Sequence, residues 1–344
     1  MNVLKKISRK IVTSSILLTM ILGLIGLHVM HCQHKTPGTF IQMDEYLAHV
    51  KEAGSSKKAP SVILEAGLSC FSIAWDLVQP KIAPFAYVYS YDRAGLGWSD
   101  QSPSKRTAAN IVKELKDLLT KLNVPKPYIL VGHSFGGIII QLYANTYPED
   151  VYGLVLVDSS HENIKEASEI FNKTYYHLLP KTQYYWHHTL HHLGLDYLSL
   201  MTGAQLHFFY SIMKNGKATL PPTIKKAFIS RLPSSAYTNS QERYHIIESH
   251  EQLAQSKNCL SDKPLIVISR GKAFDHNTDP EYLQPYLTKM HETVWDKLQK
   301  DLVKKSQKGK HIIAEKSCHA IIWSEPDLIV DAVKELIDQY EQSK

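Results

Sequence analysis

Short apolar runs alternate with amphipathic segments along most of the chain. Residues 107–122 place apolar side chains three or four positions apart, which predicts a helix. Other runs are apolar and β-branched but too short for helices, which predicts strands buried on both faces. The alternation predicts the α/β class, with a parallel sheet covered by helices. The predicted buried strands are Ser61–Leu64, Ala86–Tyr91, Tyr128–Val131, Gly153–Val157, Leu265–Ser269 and His311–Ala314.

The alternation stops between residues 162 and 262. Histidines and tyrosines are frequent there, and no clear strand pattern occurs. We therefore expect residues 162–262 to form a helical cap, inserted into a core made of residues 36–161 and 263–344.

The first 35 residues form a separate unit. The segment Ile11–Met30 has no charged residue, and thirteen of its twenty residues are Ile, Val, Leu or Met, enough for a helix that spans a bilayer. Four Lys and Arg residues precede it, so the positive-inside rule predicts a single-pass membrane protein with its body on the extracytoplasmic side. The alternative is a signal sequence whose cleavage releases a secreted or periplasmic protein, although Val29–Cys32 offers no small-residue cleavage site.

The charge and the cysteine content exclude two classes of protein, nucleic-acid-binding proteins and disulfide scaffolds. Five of the 39 Lys and Arg residues lie before residue 36, where Asp and Glu are absent, so the other 309 residues carry a net charge of only +1. A nucleic-acid-binding protein needs a concentrated basic surface, and no run supplies one. Four cysteines are too few for a disulfide scaffold, although Cys70 and Cys318 fall in loops that could be bridged outside the cytoplasm. No protein partner is implied.

The motif Gly132-His133-Ser134-Phe135-Gly136 joins a predicted strand to a predicted helix. This is the context that a nucleophilic serine in a G-x-S-x-G turn requires. A serine hydroxyl needs a general base, and His319 follows the last predicted strand. The oxyanion would be bound by the backbone N–H groups of Phe135 and, in the loop after the first buried strand, of Leu68.

These motifs resemble those of the α/β-hydrolase superfamily, more narrowly a set of bacterial serine hydrolases with a helical cap. The resemblance runs from Val62 to the C-terminus. It implies a mostly parallel central sheet flanked by helices, a Ser–His–acid triad, no cofactor and no metal ion. It rests on Leu64–Gly67, Tyr91–Ser99, Val131–Gly137 and Val155–His161.

The acid of the triad is open between two residues. Most relatives place it after the strand predicted at Leu265–Ser269, where Asp275 lies in an irregular loop. Some, including certain haloalkane dehalogenases, place it after the preceding strand, which here ends at Asp158. We favour Asp158 as the residue that orients His319, because a strand end holds a side chain more rigidly than a loop. Glu162 is the next candidate.

The predicted function is hydrolysis of a small-molecule or lipid-like ester through an acyl-enzyme. Esters are the commonest substrates of the resembled superfamily, which is an argument by analogy. One alternative is a cofactor-free C–C hydrolase or peroxidase-like activity on the same triad, and another is a non-catalytic binding protein that retains the fold. Epoxide hydrolases and dehalogenases use a carboxylate nucleophile, whereas this chain has Ser134.

Three further features have structural interpretations. The resemblance to the same superfamily implies that the adjacent Asp92 and Arg93 form a buried or semi-buried structural ion pair. Histidines at 187, 188, 191 and 192 share helix faces, but no carboxylate or cysteine completes a metal site, so we expect a polar surface. A set of cap aromatics could line an acyl pocket, fill the cap core or contact a membrane surface. These are Tyr184, Tyr185, Trp186, Phe208, Phe209 and Tyr210.

Overall fold

A computed structural model describes residues 36–54, 60–163, 173–193, 195, 220–274 and 284–344. Its centre is an eight-stranded sheet. The strands are Thr39–Gln42 (β1), Leu47–Ala53 (β2), Ser61–Glu65 (β3), Val88–Tyr91 (β4), Tyr128–His133 (β5), Val151–Val157 (β6), Leu265–Arg270 (β7) and Gly309–Ala314 (β8). All six predicted strands are confirmed, with bounds that differ by up to two residues at either end. Five are largely buried, whereas β8 lies at the edge of the sheet and is partly exposed.

The sheet has the order β1-β2-β4-β3-β5-β6-β7-β8. The pairs β1–β2 and β2–β4 are antiparallel, and every other neighbouring pair is parallel. The predicted α/β class with a mostly parallel sheet is therefore confirmed. Parallel strands share a direction, so the carboxyl ends of β3, β5, β6, β7 and β8 lie along one edge of the sheet.

Helices cover both faces of the sheet. In β3, Val62 and Leu64 pack into one apolar layer while Ile63 packs into the other, because successive side chains of a strand alternate. The core helices are Gln79–Ile82 (α1), Ala108–Lys121 (α2), Phe135–Thr146 (α3), Gln284–Met290 (α7), Asp296–Val303 (α8), Ile321–Ser324 (α9) and Pro326–Gln342 (α10). The described part of the core also contains three short helical turns. Two are 3₁₀ turns, at Ser72–Trp75 and Pro148–Asp150, and one is a π-helical turn, at His291–Trp295.

Among the described residues, three helices lie between β6 and β7, within the segment expected to be a cap. They are Lys173–His192 (α4), Pro222–Tyr244 (α5) and Ile246–Gln255 (α6). The predicted membrane span, Ile11–Met30, lies outside the described residues. In the ranges that are described, no helix is both long enough and apolar enough to cross a membrane.

Candidate active site

Ser134 lies in a sharp turn between β5 and α3. Its backbone has φ +54° and ψ −120°, a conformation that L-residues seldom adopt. The glycines on either side permit the turn, since a Cβ on Gly132 would lie 2.7 Å from the carbonyl oxygen of Gly136, and one on Gly136 would lie 2.5 Å from that of Glu65. Such strain persists only where the surrounding packing enforces it, and here it exposes part of a serine hydroxyl at the sheet edge.

His319 lies beside this serine. It belongs to the loop between β8 and α9, and its Nε2 is 3.0 Å from Ser134 Oγ. Its Nδ1 is 2.5 Å from Oδ2 of Asp158, the residue after β6. The structure thus brings together Ser134, His319 and Asp158, three residues that lie far apart in the sequence. The chain order is Ser, Asp, His, which is also the order of the triads that enzymes build on a nucleophile elbow.

Asp158 is fully buried and surrounded by donors. Its Oδ1 accepts from the indole N–H of Trp295 at 2.8 Å and from the backbone N–H of Arg270 at 3.2 Å. The Nε of Arg270 lies 2.9 Å from Oδ2. Burial by itself raises the pKa of Asp158, but the Arg270 guanidinium and the hydrogen bonds from His319 and Trp295 outweigh it and hold that pKa below its usual range. Asp158 is therefore ionised at neutral pH.

The other acid candidates are placed differently. Asp275 lies outside the described residues. The Glu162 carboxylate is turned to Lys305, at 2.7 Å, and to His161, at 3.4 Å. Neither Arg270 nor Trp295 was identified from the sequence, because both contact Asp158 across more than 100 residues and no local motif marks them.

Two backbone segments that could bind an oxyanion lie next to Ser134, the start of α3 and the loop after β3. Phe135 is the first residue of α3, so its N–H has no partner within the helix. Leu68 lies in the loop after β3, and the neighbouring Gly67 packs so closely on the elbow that a Cβ there would lie 3.3 Å from Ser134 Cβ. Both predicted oxyanion donors therefore belong to backbone segments adjacent to the serine.

His133 supports the loop of His319 from below. Its buried ring lies 4.8 Å from the ring of His319, centroid to centroid, and its Nε2 lies 2.9 Å from the carbonyl oxygen of His319. Burial, and then the nearby His319, lower the pKa of His133 to about 3. A neutral His133 can donate Nε2–H to that carbonyl and so fix the backbone of His319.

The expected ion pair between Asp92 and Arg93 is wrong in its partners, although both residues are buried. Asp92 lies 2.9 Å from His49 Nδ1 and accepts from the backbone, whereas Arg93 binds Glu65 and Glu242. Consecutive residues next to a strand point their side chains in opposite directions, so neighbours in sequence seldom pair.

Two other sequence features also have a place in the structure. Cys70 and Cys259 are free thiols, and burial raises the pKa of Cys70 to about 12. His188 and His192 face each other on α4, with 3.1 Å between their Nε2 atoms. The described part of the chain contains no group of three or more His, Cys, Asp or Glu side chains arranged to hold a metal ion.

The aromatic residues of the expected cap differ in their exposure to solvent. Tyr184 stacks on Tyr244 of α5 at 4.6 Å, whereas Tyr185 and Trp186 are exposed. Residues 208–210 lie outside the described ranges.

Comparison with known proteins gives a consistent result. A family model described as alpha/beta hydrolase fold matches residues 62–185. The uncharacterised protein YqjL of Bacillus subtilis is 41% identical over 98 residues, which make up 28% of this chain and 39% of YqjL, so this match spans less than half of the relative. An AB hydrolase superfamily protein of Gibberella zeae is 28% identical over 308 residues, covering 82% of this chain and 88% of its own length.

Solved structures share the same architecture. Epoxide hydrolase CorEH superposes with a TM-score of 0.61 at 16% identity, covering 88% of this chain and 98% of its own. A thermophilic esterase from Thermogutta terrifontis superposes with a TM-score of 0.59 at 14% identity, covering 88% and 99%. At these identities the likeness concerns the fold.

Proposed function

Because the chain belongs to the α/β-hydrolase superfamily, we propose that it is a serine hydrolase that cleaves carboxylic esters through an acyl-enzyme. One observation carries the proposal: His319 bridges Ser134 and Asp158, at 3.0 Å from the hydroxyl and 2.5 Å from the carboxylate. A general base within hydrogen-bond distance of a nucleophile, oriented by an ionised third group, is the arrangement that activates a serine.

The first half-reaction forms the acyl-enzyme. Asp158 accepts the Nδ1–H of His319, which leaves Nε2 free to accept a proton. Ser134 Oγ attacks the ester carbonyl carbon as its proton passes to Nε2, and the carbonyl oxygen becomes an oxyanion bound by the N–H groups of Phe135 and Leu68. The C–O bond to the alcohol then breaks, and the alcohol leaves with the proton from His319.

The second half-reaction releases the acid. Water attacks the acyl carbon while His319 accepts a proton from it, and the oxyanion forms at the same donors. Collapse of this intermediate breaks the bond to Ser134 Oγ, which recovers the proton from His319. A carboxylic acid leaves and the enzyme is restored. This chemistry needs no cofactor. Ester substrates are proposed by analogy with the superfamily. The assay on esters of different length determines which acyl chain is preferred.

Ester hydrolysis and its dependence on Ser134 test the proposal. Purified protein is assayed on p-nitrophenyl esters from acetyl to palmitoyl, beside Ser134→Ala and a matched control, Ser343→Ala, which removes an exposed hydroxyl near the C-terminus. We expect turnover by the wild type and by Ser343→Ala. In Ser134→Ala we expect a loss of several orders of magnitude, since only binding and oxyanion contributions remain.

Circular dichroism and melting curves verify that the Ser134→Ala variant is folded. Hydrolysis of every ester at the wild-type rate by folded Ser134→Ala would refute the mechanism. A folded wild type with no turnover on any ester would refute the substrate class.

A further inference from the structure

Arg93 lies just after β4, and 2% of its surface is exposed. Its guanidinium makes five short contacts. Nη1 donates to Glu65 Oε1 at 2.7 Å, while Nε and Nη2 donate to the two carboxylate oxygens of Glu242 at 2.7 and 2.9 Å. The two remaining contacts are to backbone: Nη1 to the carbonyl oxygen of Ala66 at 2.7 Å and Nη2 to that of Gly67 at 2.9 Å.

These two carbonyls belong to the loop that carries the Leu68 N–H. In a trans peptide the C=O and the following N–H point in opposite directions within one plane. Holding the Gly67 carbonyl against Arg93 therefore turns the Leu68 N–H away from Arg93. The loop lies between Arg93 and the elbow, since Gly67 packs directly on Ser134 and His133. The Leu68 N–H therefore points toward Ser134.

The charge of Arg93 also acts on this peptide. Burial alone would lower the pKa of Arg93, but Glu242 and Glu65 raise it, so the guanidinium is charged at any pH at which the protein is folded. A cation that donates to the Gly67 carbonyl polarises the peptide and makes the Leu68 N–H a stronger donor, since linked hydrogen bonds strengthen one another by about 10–30% each.

The carboxylates hold Arg93 in this orientation. Glu65 ends β3 and also accepts from the Tyr91 hydroxyl, while Glu242 belongs to α5 in the segment between β6 and β7. A second contact of the same helix reaches the loop, because Ser69 Oγ binds Asn239 Oδ1. The oxyanion loop is therefore fixed between the sheet and α5, with Arg93 at the centre of the contacts.

We propose that Arg93 is a positioning residue of the oxyanion hole, which orients and polarises the Gly67–Leu68 peptide so that the Leu68 N–H meets the developing oxyanion. This inference rests on the proposed ester hydrolysis. Glu242 aligns the guanidinium and thereby couples α5 to the catalytic loop. A purely structural ion pair would affect folding and leave the transition state untouched, and this difference can be measured.

The test compares Arg93→Lys with Arg106→Lys. Lysine keeps the charge but cannot contact both carbonyls and both carboxylates at once. Arg106 is an equally buried control, bonded to both oxygens of Glu114 through Nη1 at 2.8 Å, and it takes no part in the proposed site. For each variant we measure kcat and KM on a p-nitrophenyl ester, the melting temperature, and the inhibition constant of an alkyl boronic acid, whose tetrahedral serine adduct places an oxygen in the oxyanion hole.

We expect Arg93→Lys to lower kcat about 10- to 100-fold with KM changed less than about twofold, somewhat less than the loss on removing an oxyanion donor outright. The inhibition constant of the boronic acid should rise by a similar factor. Arg106→Lys should lower the melting temperature while kcat and boronate inhibition stay at wild-type levels. A folded Arg93→Lys with wild-type kcat, or one in which only KM rises, would overturn the inference.

Should Arg93→Lys fail to fold, Glu242→Gln decides the matter. It leaves the guanidinium in place and neutralises one of the groups that align it, so kcat should fall a few-fold at constant KM. Unchanged kcat there would overturn the inference. Failure of the underlying function looks different, because the wild type itself would then show neither ester turnover nor boronate inhibition.

Discussion

Replacing Asp158 by Asn changes one oxygen of the carboxylate into an NH₂ group, and the structure determines which one. Oδ1 accepts from two donors that cannot turn away, the Trp295 indole N–H and the Arg270 backbone N–H. An NH₂ group at that position would face both donors, whereas at the Oδ2 position it would face one, Arg270 Nε, which belongs to a longer side chain that can move. We therefore expect the Asn oxygen to occupy the Oδ1 position and the NH₂ to face His319 Nδ1. That arrangement stabilises the tautomer with the proton on Nε2, which cannot accept a proton from Ser134.

The size of the effect follows from these contacts. The wrong tautomer, together with loss of the charge that stabilises the imidazolium, lowers kcat by about 10⁴ in a triad enzyme, equivalent to about 5.5 kcal/mol in the barrier. The substitution also leaves the buried Arg270 beside a neutral group, at a cost of about 3 kcal/mol in the free energy of unfolding. Domains are stable by about 5–15 kcal/mol, so the variant should still fold while being almost inactive.

The assay compares Asp158→Asn with Asp275→Asn, which makes the same chemical change at the rival acid. Both variants are measured for kcat on one p-nitrophenyl ester at neutral pH and for unfolding in urea. We expect a loss of about four orders of magnitude in kcat only at Asp158. A large loss only at Asp275 would refute the tautomer argument, and small losses at both positions would assign the role to another carboxylate, with Glu162 tested next.

Two further predictions concern stability and membrane attachment. His133 has a pKa of about 3 in the folded protein and about 6.5 when unfolded, so below pH 6.5 the unfolded chain binds one more proton. Lowering the pH from 6.5 to 4.5 should therefore reduce the free energy of unfolding by about 2–3 kcal/mol. This part of the pH dependence, measured by urea unfolding, should vanish in His133→Gln. An unchanged slope in that variant would contradict the buried neutral imidazole. Deleting residues 1–35 should release an active enzyme from the membrane fraction, and a truncated protein that still sediments with membranes would locate the attachment elsewhere.

Much of the fold and of the candidate site followed from local patterns. The strand–turn–helix context of Ser134 depends on neighbouring glycines and apolar residues, all within one short segment. His319 and Asp158 could be proposed because each follows a predicted strand, and parallel strands bring their carboxyl ends to the same edge.

Contacts between distant segments could not be predicted in this way. Glu242 meets Arg93 across 149 residues, and Trp295 meets Asp158 across 137. Nothing local distinguishes these residues from ordinary helical positions. The predicted pairing of Asp92 with Arg93 was wrong for a related reason, since their side chains point in opposite directions and bind partners far away in the sequence.

Covalent trapping of the nucleophile tests the central claim most directly. The purified protein is incubated with a fluorophosphonate, and its intact mass and tryptic peptides are measured beside folded Ser134→Ala. Attack by Ser134 Oγ on phosphorus expels fluoride, so we expect one phosphonyl group per chain, on the peptide containing Ser134, and none in the variant. A folded, unmodified wild type, or an adduct at another residue that persists in Ser134→Ala, would contradict the assignment of Ser134 as the nucleophile.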